Sequence, residues 1–257
     1  MRFDILTIFP QLLDSPLKEG IIRRAIRDGK LEVFIHNIRE FTTDKHLSTD
    51  DRPFGGGEGM VMKPEPIAAA LRHVRQQKPG GRTILLSPQG RSYSQKIARK
   101  LSRSDHLVLV CGRYEGIDER IRAYYVDEEI SIGDYVLTGG ELAALILVDS
   151  ITRLLPDVLG SAESAAHDTF SRGLLKNPQF TRPRTFEDHE VPQVLLGGDH
   201  KAIMEWRFVS SVRLTLERRP DLLQGAVFTQ EEMKILKNNG LLEEVEKARR
   251  QCGQSTL

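Results

Sequence analysis

The sequence is poor in cysteine and contains no long apolar segment. Two cysteines among 257 residues are too few for a disulfide framework, and by themselves they cannot form a zinc site. No apolar run reaches the roughly 18 residues that a membrane helix requires. The first residues, Met1 to Phe9, are apolar but include Arg2 and Asp4, which is typical of a strand and not of a signal peptide. We therefore expect a cytoplasmic protein, with Cys111 as a small buried filler at the end of an apolar strand.

A charge excess of either sign is also lacking. Lysine and arginine total 37 and aspartate and glutamate total 36, so the formal net charge is +1. This balance neither demands nor excludes a nucleic-acid partner, because 28% of the residues are charged and a balanced total can hide a basic face. Each local arginine cluster is as compatible with a solvated helix face as with an RNA contact.

Strand and helix patterns alternate through the first part of the chain, which favours a parallel α/β sheet. A helix is predicted from Pro16 to Asp28, and a strongly apolar one from Glu141 to Leu155. Small residues then dominate Gly160 to His167, as in a mobile linker, and no strand series follows. The run from Thr229 to Glu232 resembles a helix capping box. We therefore predict three segments: an α/β domain (1–160), a linker (161–172) and a smaller helical domain (173–257).

Three predicted strands end in loops that contain glycine. These loops are Ser87 to Gly90, Gly112 to Gly116 and Gly133 to Gly140. Ligands of open α/β sheets bind outside the carboxyl ends of the strands, so the loops predict one small-molecule pocket. No loop matches the phosphate-binding pattern G-x-x-x-x-G-K-[ST], and none has the dinucleotide pattern after the first strand. Backbone groups of the loops could instead bond a purine-like edge, with aliphatic side chains against its ring.

Five longer segments carry a resemblance to a known family. They are Asp51–Met62, Leu86–Gly90, Cys111–Arg120, Ser131–Glu141, and the group Asp168–Phe170, Gly173–Leu175 and Thr181–Pro183. In this order and spacing they resemble the bacterial tRNA (guanine-N1-)-methyltransferases of the SPOUT class, which methylate the guanosine at tRNA position 37. The resemblance extends from Phe3 to about Leu223. Five such segments in series are specific, whereas any one alone is not.

The resemblance implies a fold and a set of partners that periodicity does not reveal. The implied fold is an α/β SPOUT-type parallel sheet with a deep trefoil knot, plus a smaller C-terminal helical domain. The implied assembly is an obligate homodimer with its active sites at the subunit interface. The methyl donor would be S-adenosyl-L-methionine, and Mg²⁺ would be required as well. The residues implied to bind the donor are Leu86, Ser87, Pro88, Gly112, Tyr114, Glu115, Ile132, Gly133, Asp134, Tyr135, Val136, Leu137, Gly139 and Gly140.

Catalytic roles also come from the resemblance. Asp168 matches a general base that removes the N1 proton of guanine, and Arg153 matches an arginine that stabilises charge on O6. Without the resemblance, Asp168 is typical of a turn, and Arg153 of a solvated charge at a helix C-terminus. Glu115 would face the sulfonium or help to hold Mg²⁺. His167 could serve as an alternative base, but the family does not require histidine there, so we interpret it as a linker residue that could tune Asp168. Lys176 is a departure, since many relatives carry an acid there, so a second carboxylate at the site is in doubt.

The basic residues of the predicted helical domain are candidates for holding the anticodon stem through its phosphates. Trp206 could stack on RNA or belong to the core. The expected partner is tRNA with guanosine at position 37, flipped into the pocket, and not DNA. Two alternatives stay open: another knotted methyltransferase, such as a ribose 2′-O enzyme, and a catalytically silent RNA-binding dimer. The candidate RNA contacts are Arg182, Arg184, Lys201, Arg207 and Arg213.

Overall fold

The structure is a computed structural model that describes residues 1–159 and 168–254, with 252–254 as backbone only. The chain divides into two compact units, Met1–Gly160 and Ser161–Leu257. Of the predicted linker, the part up to residue 167 lies outside the described residues. The first unit has two apolar cores and the second unit has one.

The first unit is built on parallel strands. The strands are β1 (Arg2–Thr7), β2 (Glu32–Asn37), β3 (Asp50–Asp51), β4 (Val61–Met62), β5 (Arg82–Ser92), β6 (His106–Cys111) and β7 (Glu128–Ser131). Five of them form a sheet in the order β2-β1-β6-β5-β7, and every neighbouring pair in it is parallel. The short strands β3 and β4 pair separately and antiparallel. The parallel sheet predicted from the alternation of strands and helices is confirmed.

Helices cover both faces of this sheet. They are α1 (Gln11–Leu17), α2 (Gly20–Arg27), α3 (Pro64–Gln77), α4 (Gln95–Leu101), α5 (Glu119–Tyr125) and α6 (Glu141–Thr152). One apolar core lies under α1, α2, α4 and α6, and the other under α3 and α5. The central strand β6 is buried along its whole length, as expected for a strand covered on both faces. The single helix predicted from Pro16 to Asp28 is wrong, because the chain turns between Lys18 and Gly20, where Gly20 has φ +60°.

The pairing of β5 with β7 breaks at the point where the first glycine loop leaves the sheet. Leu86 and Arg91 both pair with Ile130, so the residues between them bulge out of the ladder. A Cβ at Gly90 would lie 2.4 Å from the backbone nitrogen of Ile130. The chain therefore runs directly against the backbone of β7, and only glycine fits there.

The segment after β7 leads the chain back across the sheet to the end of β6. Gly140 N–H donates to the Gly112 carbonyl at 3.0 Å, and Arg113 and Gly139 form an isolated antiparallel bridge. A Cβ on Gly140 would lie 2.8 Å from Cα of Cys111, so the close approach requires glycine. Helix α6 then packs against β1 and β6. The loops after β6 and β7 are held together by this path.

The second unit is mainly helical. Its helices are α7 (His200–Arg218), α8 (Gln230–Asn238) and α9 (Leu242–Gln254), packed around an apolar core that includes Val212, Leu236 and Val245. The predicted capping box is confirmed, since Thr229 Oγ1 accepts from Glu232 N–H at 3.2 Å and Glu232 Oε2 accepts from Thr229 N–H at 2.9 Å.

A short antiparallel hairpin in this unit was not predicted. It pairs β8 (Thr185–Phe186) with β9 (His189–Glu190). Its two connecting residues, Glu187 and Asp188, have φ of +48° and +63°. Such a turn usually contains glycine or asparagine, so its sequence carried no hairpin signal.

Candidate functional site

A cavity of about 230 Å³ lies at the carboxyl ends of β5, β6 and β7. Its walls come from the three glycine-containing loops, so segments that are distant in sequence meet here as predicted. Every residue predicted to bind the methyl donor lines the cavity except Asp134, which is exposed in the loop after β7. The predicted residues in the lining are Leu86, Ser87, Pro88, Gly112, Tyr114, Glu115, Ile132, Gly133, Tyr135, Val136, Leu137, Gly139 and Gly140.

One wall of the cavity is an aromatic ring folded over a glycine. Gly133 has φ +153°, and a Cβ there would lie 2.4 Å from Cε1 of Tyr135. The Tyr135 hydroxyl donates to the Ile132 carbonyl at 3.3 Å, and its backbone N–H donates to the Gly133 carbonyl at 3.0 Å. The loop therefore presents apolar surface and backbone polar groups together. This combination suits a flat heterocyclic ligand.

The base of the cavity is tied by a buried carboxylate that sequence reasoning did not select. The Glu141 side chain, 1% exposed, pairs with the Arg113 guanidinium at 3.0 Å and accepts from the Thr7 hydroxyl at 2.6 Å. Gly139 lies against both charged side chains. These contacts join β1, the loop after β6 and the start of α6. The available signal was an acid in the first turn of an otherwise apolar helix.

Cys111 has the structural role that its sequence context predicts. It is fully buried beneath the cavity and is a free thiol. Burial raises the pKa of this thiol well above its ordinary value, and the nearby Glu141 raises it further. The thiol therefore stays neutral, which suits a small apolar filler and not a nucleophile.

Comparison with known proteins identifies the family. The family model described as tRNA (guanine-1)-methyltransferase TrmD matches residues 1–225. The chain belongs to this family. A tRNA (guanine-N(1)-)-methyltransferase of Citrifermentans bemidjiense is 50% identical over 96% of this chain and 97% of its own, and one of Geobacillus kaustophilus is 52% identical over 92% and 97%. The crystal structure of the tRNA (m1G37) methyltransferase from Aquifex aeolicus matches with TM-score 0.71 and 38% identity, covering 87% of this chain and 94% of that one.

The catalytic residues expected in a TrmD family member lie in different units of the chain. Arg153 is exposed at the C-terminal cap of α6 in the first unit, and its N–H donates to the Asp149 carbonyl at 3.2 Å. Asp168 belongs to the second unit, where its carboxylate pairs with Lys176 at 3.0 Å. His167, interpreted from the sequence as a linker residue that could tune Asp168, lies outside the described residues. The roles of these groups stay predictions.

The candidate RNA contacts lie in the second unit. Lys201 and Arg207 line a cavity of this unit together with Asp168, and Arg184 donates to the Gln193 side chain at 3.1 Å. Arg182 and Arg213 are exposed. Trp206 is half-buried with its ring centroid 6.2 Å from that of Phe180, so it packs within this unit and keeps part of its surface exposed.

The described side chains offer few ligands for Mg²⁺. Among residues 1–159 and 168–254, no group of three or more His, Cys, Asp or Glu side chains could hold a metal ion. Within that part of the chain, Glu115 is the one carboxylate in the lining of the first cavity. Proteins often hold Mg²⁺ through one or two carboxylates plus substrate oxygens, so Glu115 fits such a shared site but not a site made by protein alone. No helix among the described residues is long and apolar enough to span a membrane.

Proposed function

We propose that this chain transfers a methyl group from S-adenosyl-L-methionine to N1 of guanosine at tRNA position 37. One observation carries the proposal. In a chain of the TrmD family, the loops expected to bind the donor meet at one cavity at the carboxyl ends of the parallel strands. The tRNA substrate and the position come from the names of the relatives and of the Aquifex aeolicus structure.

The chemistry requires a base, because N1 of guanine carries a proton at neutral pH. When bound, the donor supplies an electrophilic methyl group on a sulfonium. We assign the N1 proton to the Asp168 carboxylate, which becomes a neutral acid as the N1–carbon bond forms and the sulfur–carbon bond breaks. The Arg153 guanidinium would stabilise the negative charge that develops on O6, because preorganised positive charge is a large term in catalysis.

The first cavity would hold the donor through the surfaces it presents. Leu86, Ile132 and Leu137 would lie against the purine ring, and loop backbone groups would bond its edge. Glu115 would face the sulfonium charge and is the residue that would hold Mg²⁺ together with substrate oxygens. Residues 1–160 would thus bind the donor and 173–257 would bind tRNA. Of the segment 161–172 between them, predicted as a linker and lid, residues 161–167 lie outside the described residues.

We further propose that the sheet is knotted, and two features support this. The chain presses against β7 at Gly90, and after β7 it returns to Cys111 through a gap that only Gly140 fits. A homodimer is supported by the adjoining helices α1 and α6, which expose the apolar side chains of Leu12, Leu142 and Ile146. A second copy of the chain would cover this surface. As a tRNA-modifying enzyme, the protein would act in the cytoplasm.

Methyl transfer to defined tRNA transcripts tests the function. Transcripts with guanosine or adenosine at position 37 are incubated with methyl-labelled donor and digested to nucleosides. We expect 1-methylguanosine from the first transcript only. Label on a ribose oxygen would favour the 2′-O enzyme, and tRNA binding without label would favour the silent RNA-binding dimer.

The role of Asp168 is tested by Asp168→Ala and Asp168→Asn. We expect both variants to lose turnover while donor binding in calorimetry is retained. Glu243→Ala, which removes an exposed carboxylate of the same unit, is the matched control. Loss of donor binding together with turnover would mean that Asp168 has a structural role.

A further inference from the structure

The second unit holds Asp168 beside a lysine. Nζ of Lys176 donates to Oδ1 of Asp168 at 3.0 Å, and the two side chains are 42% and 28% exposed. Both line a cavity of about 600 Å³. The group proposed to accept the N1 proton therefore has an ammonium group at hydrogen-bond distance.

A tight turn brings these two residues together. Phe170 N–H donates to the Leu174 carbonyl at 3.0 Å, and Lys176 N–H donates to the Thr169 hydroxyl at 3.2 Å. Gly173 permits the turn with φ +72°, and a Cβ there would lie 3.0 Å from the backbone of Ala226. The backbone thus places Lys176 next to Asp168 independently of the side-chain pair.

The turn is also fixed to the core of its unit. The Leu174 side chain is buried in the apolar core beneath α7. Leu175 N–H donates to the hydroxyl of Thr215, a buried residue of α7, at 2.9 Å. Because Leu174 and Leu175 directly precede Lys176 and are both held to this core, the Cα of Lys176 has little freedom to move away from Asp168. The side chain alone is free to change partner.

The other charges around the cavity balance in number. Three are cationic and three are anionic, and Arg172 is paired with Glu232 at 2.7 Å. Lys176 differs from this set in that its ammonium is in direct contact with the Asp168 carboxylate. The remaining charged residues of the lining are Arg172, Lys201, Glu205, Arg207, Glu231 and Glu232.

We propose that Lys176 is a positioning residue for the methyl transfer, the resident counter-cation that keeps the Asp168 carboxylate ionised and oriented until it accepts the N1 proton. The proposal rests on the proposed function. An opposite charge within about 4–6 Å favours the ionised form of a carboxylate. When Asp168 takes the proton, it becomes neutral, and the partly exposed ammonium turns to solvent or to a phosphate. No bond to Lys176 forms or breaks.

The test is a pH profile of the single-turnover methyl-transfer rate for wild type, Lys176→Met and Lys176→Arg. Single turnovers avoid product release, which limits many enzymes. In Lys176→Met we expect the acid limb to move to higher pH by about one unit, since a cationic partner lowers a carboxyl pKa by about 1–3 units. At pH values below the acid limb, the rate of Lys176→Met is then about tenfold lower than that of wild type, and above the limb the two rates are equal. Lys176→Arg keeps the charge and should keep the wild-type limb.

Two results would overturn this role. Superimposed profiles would mean that Lys176 does not act on the base, and a uniform decrease with an unchanged acid limb would indicate a purely structural effect. A readout without turnover separates the proposal from the function: the Asp168 carboxyl is titrated by ¹³C NMR, with its signal assigned by its loss in Asp168→Asn. If wild type fails to methylate N1, the function is refuted, yet an unchanged titration in Lys176→Met would still refute the role of Lys176. Thermal unfolding and donor calorimetry of each variant exclude misfolding.

Discussion

Replacing Glu141 by alanine is expected to destabilise the first unit by about 3–5 kcal/mol, the usual range when one partner of a buried ion pair is removed. The reason is that Arg113, whose side chain is 14% exposed, would keep its charge without an anionic partner. The Thr7 hydroxyl, itself buried, would also lose the acceptor that it contacts at 2.6 Å. Both losses fall on groups that water cannot easily reach.

The magnitude can be assembled from the two contacts. A hydrogen bond to a charged group contributes about 1.5–3 kcal/mol, so the contacts from Arg113 and Thr7 together give roughly 3–6 kcal/mol, in agreement with the range for a broken pair. For a unit of this size, each kcal/mol lowers the unfolding temperature by about 2–4 °C. We therefore expect a decrease of roughly 6–20 °C. Glu141→Gln keeps an acceptor for Thr7 and loses the charge, so its decrease should be smaller.

The assay is calorimetric unfolding at a fixed protein concentration, together with the dissociation constant of S-adenosyl-L-methionine. Glu119→Ala is the matched control, because Glu119 is 74% exposed and pairs with Arg122 at 3.5 Å on the surface of α5. A surface pair contributes at most about 1 kcal/mol. If Glu141→Ala lowers the unfolding temperature no more than this control, the buried contacts of Glu141 do not stabilise the first unit and the prediction is wrong.

Three further predictions concern other parts of the first unit. Gly90→Ala should weaken donor binding by tenfold or more in calorimetry, because its Cβ would meet the backbone of β7. Gly225→Ala, with open space around its Cβ position, is the control and should leave donor binding unchanged. Equal donor affinities of Gly90→Ala and wild type would refute the close approach. Burial alone would raise the pKa of Asp4, but hydrogen bonds from His36, Arg2 and His106 hold it well below its usual range. Its contribution to stability is therefore complete above the unfolded pKa of about 3.9 and is lost as pH falls through the lower folded value. The difference in unfolding free energy between wild type and Asp4→Asn should shrink below about pH 4, and a difference that grows on acidification would contradict this. Leu142→Asp should give a monomer in sedimentation velocity if α6 forms a dimer contact, whereas Val227→Asp, an exposed apolar position of the second unit, should leave the assembly as it is.

The position of the first cavity was predictable because it depends on local patterns. Continuous apolar runs that stop at glycine identify buried parallel strands and their carboxyl ends, and those ends meet at one edge of the sheet. The order of the strands was not predictable in the same way. That β5 lies between β6 and β7 is a matter of long-range pairing, which no window of sequence contains.

Short elements without periodicity were the ones that sequence reasoning missed or merged. Helix α1, with seven residues, spans only two turns, which is too short for a clear apolar period. The hairpin after Arg184 turns on Glu187 and Asp188, which both have positive φ although neither is the glycine or asparagine that usually marks such a turn. For α1, the burial of Leu13 and Leu17 in the core stabilises the helix, since tertiary packing and not local propensity supplies most of the stability of a short helix.

The contact between Lys176 and Asp168 shows where sequence reasoning about the proposed site ends. In the sequence, Lys176 is notable only because many relatives carry an acid at that position. Lys176 and Asp168 are eight positions apart in an irregular segment, and this separation predicts no contact between them. The contact follows from the turn at Gly173 and from the anchoring of Leu174 and Leu175 to the core of the second unit. The sequence presents Lys176 as a lost carboxylate, whereas in the folded chain it is an added cation beside the proposed base.

Three glycines of the loops around the cavity are required for different reasons, which only the fold reveals. Gly90 allows the chain to pass against Ile130, Gly140 allows it to approach Cys111, and Gly139 fits between the side chains of Arg113 and Glu141. At each position, a Cβ would meet either a segment that is distant in sequence or side chains that are buried where the chain returns to β6. Glycine in these loops therefore serves mainly to let backbone segments pass close to one another, and donor binding would use the surface that this crossing creates. It follows that alanine at any of the three should disturb the loops before it touches a ligand.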